Sequence, residues 1–497
     1  MSVSGLSPPR PLGSVSGFLQ VASLLSLVLL LLKAAQLYLR RQWLLKAFQE
    51  FPCPPSPWLY GHNECCHLRD LPECLSSWCP QRWGSPCLAS GLAREPWHLL
   101  GSDPGLFCPP SAPILSPGKG LLVLQGPKWF QHLKLLTPDF HYDVLKPFVA
   151  LFADSTHARG HPDKWEEKAC EDKSFDIFCD VGHVALDMLM KSSERPSLSR
   201  LCRDSSYYHA VCELTLLTQQ RIESFQYHND FIYWLTSHGR RFLRACQVAH
   251  DHTDQVIREW KAALQDEKEQ ENIRNRHLDF LDTLLRARAE NLSDTDLQSK
   301  VNTFLLAGQH TTTGGMSWLL YHLALNPEHQ QRCREEIRSI LRDRSSITCP
   351  EALLPTICFT AIGPPVPSLC RELSKPITFP GGCSLPAGLC ILSLSSSWRL
   401  WDPRDQSDEG QQRHPHSFLP FLAGPRNCVR QHFAMAGLKL SIALILLLFK
   451  VTPDPTSTLV FLLQIILKPK HGVHLHLKKV SNVRAQGTMI VNTVFSS

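Results

Sequence analysis

The chain has 497 residues, of which 43% are hydrophobic and 19% charged, and carries a formal net charge of +6 from 51 basic and 45 acidic side chains. That balance can bury a sizeable core and excludes global disorder. The charges form no long basic run with interleaved aromatics, so nucleic acid is excluded as an expected partner. The 19 cysteines lack the regular spacing of a disulfide framework and are expected to be mostly reduced. With no internal repeat or low-complexity linker, one large domain behind a short N-terminal segment is the simplest organisation.

From Gly17 to Leu32 the sequence is GFLQVASLLSLVLLLL, and it continues past Lys33 through AAQLYL to Arg40 and Arg41. With that continuation it reaches the roughly 20 residues that cross a bilayer as a helix. Arg10 is the lone basic residue before the run, whereas Lys33, Arg40, Arg41 and Lys46 follow it, which places the body of the chain in the cytosol. A cleaved signal peptide is disfavoured, because the run is long, has no basic residues against its start and is closed by cations. A buried core helix is the other alternative. The expected divisions are a lumenal tail at 1–16, a transmembrane anchor at 17–39, and a basic, Pro-rich hinge at 40–59, stiffened by Pro52, Pro54, Pro55 and Pro57. Residues 60–116 form a divergent Cys/Pro-rich segment without a helical or strand period, and 117–497 form the main domain. Cys65-Cys66-His67, Cys74 and Cys79 could be read as zinc ligands, but their spacings fit no recognised ligand frame.

Beyond Leu145 long amphipathic patterns dominate, including Tyr233 to Ala287 and Val301 to Leu325; the latter follows Ser293-Asp-Thr-Asp296, a capping-box-like start. Strand character is confined to short pieces: Ile377 to Leu385 around a Gly-Gly turn, and a C-terminal pair, Leu463 to Leu467 and Val473 to Leu477, around Lys470-His-Gly472. The expected fold is mainly α, a large helical domain with small β-sheets behind an N-terminal transmembrane helix.

The sharpest signal is Phe418-Leu-Pro-Phe421-Leu-Ala-Gly424-Pro-Arg426-Asn-Cys428, followed by an apolar run from Phe433 to Phe449 that predicts a buried helix. A cysteine in a Gly- and Pro-bearing loop ahead of a helix N-terminus is expected to have a lowered pKa and to serve as a thiolate metal ligand. In that setting Arg426 can pair with a heme propionate, Gly424 lets the backbone pass close to a flat cofactor, and Phe421 shields the sulfur from water. Taken alone, a buried structural cysteine is the commoner explanation.

The motif FLPFLAGPRNC resembles the heme-binding signature of cytochromes P-450, Phe-x-x-Gly-x-Arg-x-Cys. The resemblance extends through QWLLKAFQEFPCPPSPWLYGH, KWFQHLKLLTPDFHYDVLKPFV, SWLLYHLALNPEHQQRCREEIRSIL and ITFPGGCSLPAG, and is most like the fatty-acid omega-hydroxylase subfamily 4A. It implies the cytochrome P-450 fold and heme b (iron protoporphyrin), with Cys428 as the axial iron ligand. The implied activity is hydroxylation of a fatty acid with molecular oxygen. Implied partners are NADPH-cytochrome P-450 reductase, cytochrome b5 and the membrane, and the implied location is the endoplasmic reticulum, single-pass and facing the cytosol. A thiolate ligand pushes electron density to iron and favours O–O cleavage. By the same resemblance Thr311, one turn after Gly308, is the oxygen-activating threonine, with a Thr hydroxyl bonded back to its own helix as the alternative. Trp129 and His132 match the helix that contacts a propionate, a core Trp being the plain alternative.

Several positions depart from the family pattern. His310 stands where the family has an acid beside the threonine, in the catalytic proton path. Ala307 occupies the place of a glutamate that esterifies heme, so heme is expected not to be covalently linked. Leu133 replaces a propionate-binding arginine, and Arg430 replaces a glycine after the cysteine, with crowding expected. The family's Glu-x-x-Arg element is missing between Thr348 and Pro364; Glu335 with Arg338, and Glu271 with Arg274, match its spacing but are expected to be surface pairs. The alternative function is therefore a noncatalytic, degraded relative with weak or no heme binding.

Overall fold

The computed structural model describes residues 12–48, 97–98, 120–122, 124, 126–137, 152, 161–171, 173–191, 205–224, 227, 229–265, 293–342, 365–372, 375–378, 384–385, 387, 390–394, 420–422, 424–457, 459–463 and 465–480. The expected Glu-x-x-Arg region, the Glu271 and Arg274 pair, the Cys65 to Cys79 cluster and nearly all of segment 60–116 lie outside them.

Helix α1 (Leu12–Phe48) is longer than the expected anchor and runs on through the first residues of the basic hinge. Its window Leu19–Gln36 is apolar and fully exposed, long enough to cross a membrane. An apolar window of the same length at Gln431–Leu448 is two-thirds buried, which makes it a core helix.

The body is built around helix α8 (Asp294–Leu325), introduced in chain order after α2 (Gly126–Leu136), α3 (His161–Cys170), α4 (Ile177–Lys191), α5 (Ser205–Glu223), α6 (Asp230–Leu235) and α7 (Ser237–Gln265). The cap expected at Ser293 is present: its hydroxyl accepts the Asp296 amide at 3.1 Å. The N-terminal half of α8 supplies Leu297, Val301, Phe304 and Leu305 to an apolar cluster shared with α2, α5 and α7. Its C-terminal half supplies Met316, Trp318, Leu319, Leu320 and Leu323 to a second cluster with α4, α9 (Pro327–Arg342) and α10 (Gln431–Leu448). One helix therefore has no solvent face over most of its length, which is why its sequence is apolar all round.

Helix α9 is pinned to the end of α10 by Arg334, whose Nε donates to the Leu446 carbonyl at 2.9 Å and whose Nη2 donates to the Phe449 carbonyl at 3.3 Å. Gln330 adds a reciprocal pair with the Val451 main chain at 2.8 and 3.1 Å. These bonds satisfy carbonyls where α10 gives way to strand β7 (Phe449–Pro453). Glu335 and Arg338 do not pair: Glu335 accepts from Gln331 at 2.8 Å, and Arg338 holds a buried Nε without a hydrogen-bond partner among the described residues. Cys333 in α9 is disulfide-bonded, whereas Cys170, Cys179, Cys212, Cys246 and Cys428 are free thiols.

The strands form small antiparallel sheets. Strands β1 (Trp97–His98), β6 (Cys390–Leu394) and β3 (Ser368–Glu372) make one sheet in that order, and the Gly-Gly hairpin appears as β4 (Ile377–Thr378) against β5 (Ser384–Leu385). The expected C-terminal pair is repartnered. Strand β8 (Phe461–Leu463) pairs with β9 (Leu467–Pro469), while β10 (His474–Lys479) pairs with β7 and with β2 (Phe175–Asp176). The reason is burial: Leu475 and Leu477 alternate inward against the second core, and β7 presents the matching face.

Two buried polar groups mark the joints of α8. His310 is buried against α5, with Nε2 3.3 Å from the Thr215 hydroxyl, and its ring also bonds the Val211 main chain. Burial lowers its pKa to about 3, so the ring is neutral at ordinary pH. A histidine depressed from about 6.5 binds fewer protons in the folded state, so its share of stability is complete above the unfolded value and is lost as pH falls from there toward 3. Lys300 is 0% exposed, its Nζ has no hydrogen-bond partner among the described residues, and burial lowers its pKa to about 8. It shares its surroundings with His132, 6% exposed, whose Nδ1 is also without a hydrogen-bond partner among the described residues.

In equilibrium denaturation followed from pH 7 to pH 4, His310→Gln should show a flatter loss of stability than the wild-type chain; an unchanged slope would mean that His310 is not held neutral against α5. Lys300→Met should raise the midpoint of thermal denaturation by about 1–4 °C, because an ammonium without a partner is removed from the interior. A fall in that midpoint would show that Lys300 has a compensating partner.

Candidate active site

The loop before α10 folds back on itself. The Asn427 amide donates to Gly424 O at 3.1 Å and the Cys428 amide donates to Phe421 O at 2.9 Å, so the cysteine is fixed by main-chain bonds. The turn needs a positive φ of 81° at Gly424, which glycine adopts without cost. Leu422 also takes a positive φ of 65°, a strained conformation for a leucine and one that no sequence signal announced. Phe421 and Cys428 are half-buried, with the Phe421 carbonyl in contact with the cysteine main chain.

Cys428 is a free thiol at the head of α10. The expected lowered pKa is not found: burial pushes the thiol up, and the Arg430 amide and guanidinium offset part of that. Desolvation of a single sulfur outweighs the partial charge of a helix end unless a metal replaces the proton. Arg426 and Trp129 are brought together across about 300 residues of sequence. The guanidinium lies 4.2 Å over the Trp129 ring and donates to the Leu124 carbonyl at 2.6 Å. His132, on the same helix as Trp129, instead has Lys300, Asp296 and Lys128 as electrostatic neighbours, and burial lowers its pKa. Leu133 packs into the core shared by α2, α5 and α7.

On α8, the Thr311 hydroxyl donates to the Ala307 carbonyl at 2.7 Å, the helix-bonded arrangement weighed as the alternative. It keeps its acceptor lone pairs free of that bond. His310 points about 100° round the helix from Thr311. It faces α5, not the hydroxyl, which corrects its expected place in the proton path. Gly308 is closely met by side chains: a Cβ there would lie 2.8 Å from Leu189 and 3.5 Å from Arg430 Nη1.

Arg430, expected to crowd the site, is 8% exposed. Its guanidinium lies 4.2 Å over Phe433 and 5.5 Å from the Phe304 ring, between α10 and α8. Among the described residues there is no group of three or more His, Cys, Asp or Glu side chains able to hold a metal ion.

Comparison with known proteins gives a consistent result. The family described as Cytochrome P450 matches residues 109–476. Cytochrome P450 4B1 of Homo sapiens is 51% identical over 495 residues, covering 92% of this chain and 95% of that protein. The Rattus norvegicus 4B1 is 50% identical, covering 93% and 96%. Cytochrome P450 4A11 of Homo sapiens is 46% identical over 520 residues, covering 97% and 98%. The crystal structure of a cytochrome P450 (CYP102L1) superimposes with a TM-score of 0.59 at 18% identity, covering 77% of this chain and 88% of that one, and shows the shared fold. The helical body, the cysteine turn ahead of α10 and these identities agree: the chain belongs to the cytochrome P450 family, within family 4, and is a heme-dependent monooxygenase.

Proposed function

We propose that the chain hydroxylates the terminal carbon of a fatty acid, with heme b held by Cys428 and electrons delivered by NADPH-cytochrome P-450 reductase, with cytochrome b5 as a second donor. The observation behind the reading is the turn that fixes a free, half-buried thiol at the head of α10, with Arg426 stacked on Trp129 nearby. The donor set fits heme: one soft sulfur for iron and one guanidinium on an aromatic face for a carboxylate. Bound heme supplies the iron at which oxygen is activated and inserted into a C–H bond.

The protein's own groups have separable roles in this reading. Cys428 Sγ binds iron, and the Arg430 amide hydrogen-bonds that sulfur. Arg426 and Trp129 hold a propionate, with Gly424 giving close passage to the backbone and Phe421 excluding water. Thr311 receives and passes a proton through a hydroxyl whose own proton rests on Ala307 O. Ala307 has no carboxylate, so the heme is not linked covalently through it. Gly308 lies on α8 one turn before Thr311, and His132, on the same helix as Trp129, belongs to the cofactor-binding set. Residues 17–39 anchor the chain in the endoplasmic reticulum membrane, with tail 1–16 lumenal and hinge 40–59, segment 60–116 and domain 117–497 cytosolic.

A second reading, a noncatalytic relative, is favoured by one observation: His310 is sequestered in the α5 contact and the Gly308 notch is met by Leu189 and Arg430.

The carbon monoxide difference spectrum of the dithionite-reduced, full-length protein separates the two. A strongly red-shifted thiolate band, lost in Cys428→Ala, is the expected result, and its absence from the wild-type chain would overturn the heme assignment. With reductase and a fatty acid, Thr311→Ala should keep that band while kcat falls by on the order of 10²-fold. An equal kcat would remove Thr311 from the proton path.

A further inference from the structure

We propose that Arg430 is an autoinhibitory staple: its side chain closes the slot between the cysteine turn and α8, and heme must displace it to settle on Cys428. The inference rests on Cys428 being the iron ligand, with the heme between that turn and the stretch of α8 from Gly308 to Thr311.

Three contacts define the staple. Arg430 is the residue that opens α10, two positions after Cys428. Its guanidinium carbon lies 4.2 Å from the centre of the Phe433 ring on α10 and 5.5 Å from that of the Phe304 ring on α8. Its Nη1 lies 3.5 Å from where a Cβ on Gly308 would stand, an ordinary van der Waals contact with α8. The side chain therefore starts on the sulfur's side of the slot and ends against the opposite wall. It is 8% exposed along that path, so it lies inside the slot and not over its mouth.

A flat ring and this side chain compete for the same layer. Carbon atoms in contact stand about 3.5–4.0 Å apart, so a ring laid against α8 takes the place the guanidinium holds beside Gly308. Opening the slot breaks no covalent bond. It separates the cation from two aromatic faces and moves it to water, which makes the open form the minor one. The apparent affinity for heme then falls in proportion to the open fraction. Shortening the side chain leaves the start of α10 intact, because Arg430 makes no side-chain cap bond there and glycine is accepted at a helix N-cap.

The test is a hemin titration of the full-length chain in detergent, produced without added heme precursor and followed by absorbance. Arg430→Gly should bind hemin about 10- to 100-fold more tightly than the wild-type chain, the inverse of an open fraction of about 1–10%. Arg430→Ala is the second variant, should glycine loosen the turn, and should tighten binding in the same direction. Arg430→Met keeps the length without the charge and should gain less than either; a gain equal to that of Arg430→Gly would show that the charge, and not the span, excludes heme, and would overturn the staple. At saturating hemin the wild-type chain and all three variants should give the red-shifted carbon monoxide band, lost when Cys428→Ala is added. Equal affinities in the wild-type chain, Arg430→Gly and Arg430→Ala, with that band present, would overturn the staple alone. Absence of the band from all of them would overturn the function on which the staple rests, and the staple with it.

Discussion

Helix α8 is packed on both flanks by apolar clusters, and that double burial decides which of its polar residues can do chemistry. A fully buried hydroxyl, imidazole or ammonium on it must find a partner within the helix or across a helix contact, since water is not at hand there. Thr303, Thr311 and Thr313 solve the problem locally by bonding the carbonyl four residues back. His310 solves it across the contact with α5, and stays neutral as a result. Lys300 and Gln309 do not solve it: both are fully buried, with side-chain polar atoms that lack hydrogen-bond partners among the described residues. The helix thus spends stability at its polar positions, and the apolar rows on either side offset that cost.

The cysteine turn faces the opposite balance. A helix N-terminus and a nearby guanidinium favour a thiolate, but burial of the sulfur acts against it and is the larger effect. Metal coordination changes the balance, because a coordinated thiol gives up its proton outright. The main-chain bonds from Asn427 and Cys428 and the positive φ values at Leu422 and Gly424 shape the turn without help from the thiolate.

Much of this was legible in the sequence for identifiable reasons. The apolar run at 17–39, the Ser293 cap and the buried α10 announce themselves through length, capping chemistry and hydropathy, which are local properties. Motif resemblance assigned Arg426 and Trp129 separately to heme propionates, but their direct contact was not legible, since nothing local ties residues so far apart. What local pattern could not show was direction. His310 sits next to Thr311 in sequence yet faces α5, because successive residues on a helix diverge by about 100°. The partners of β10 were missed because neighbouring strand signals suggest a hairpin, whereas burial of Leu475 and Leu477 favours β7. The strain at Leu422 and the lack of a partner for Lys300 belong to tertiary packing alone.

The two faces of the proposed heme site lie on different elements, and this bears on how the chain could lose activity without losing its cofactor. Cys428 and Arg426 belong to the turn before α10, and Trp129 to α2; their geometry depends on main-chain bonds and a stacking contact. Thr311, Gly308 and His310 belong to α8, where the hydroxyl is engaged by Ala307 and the imidazole by α5. Among the described residues no hydrogen bond links the Thr311 hydroxyl to the cysteine turn. Arg430 is the side chain that touches both elements: rooted in the turn, it stacks on Phe433 and reaches the Gly308 position on α8.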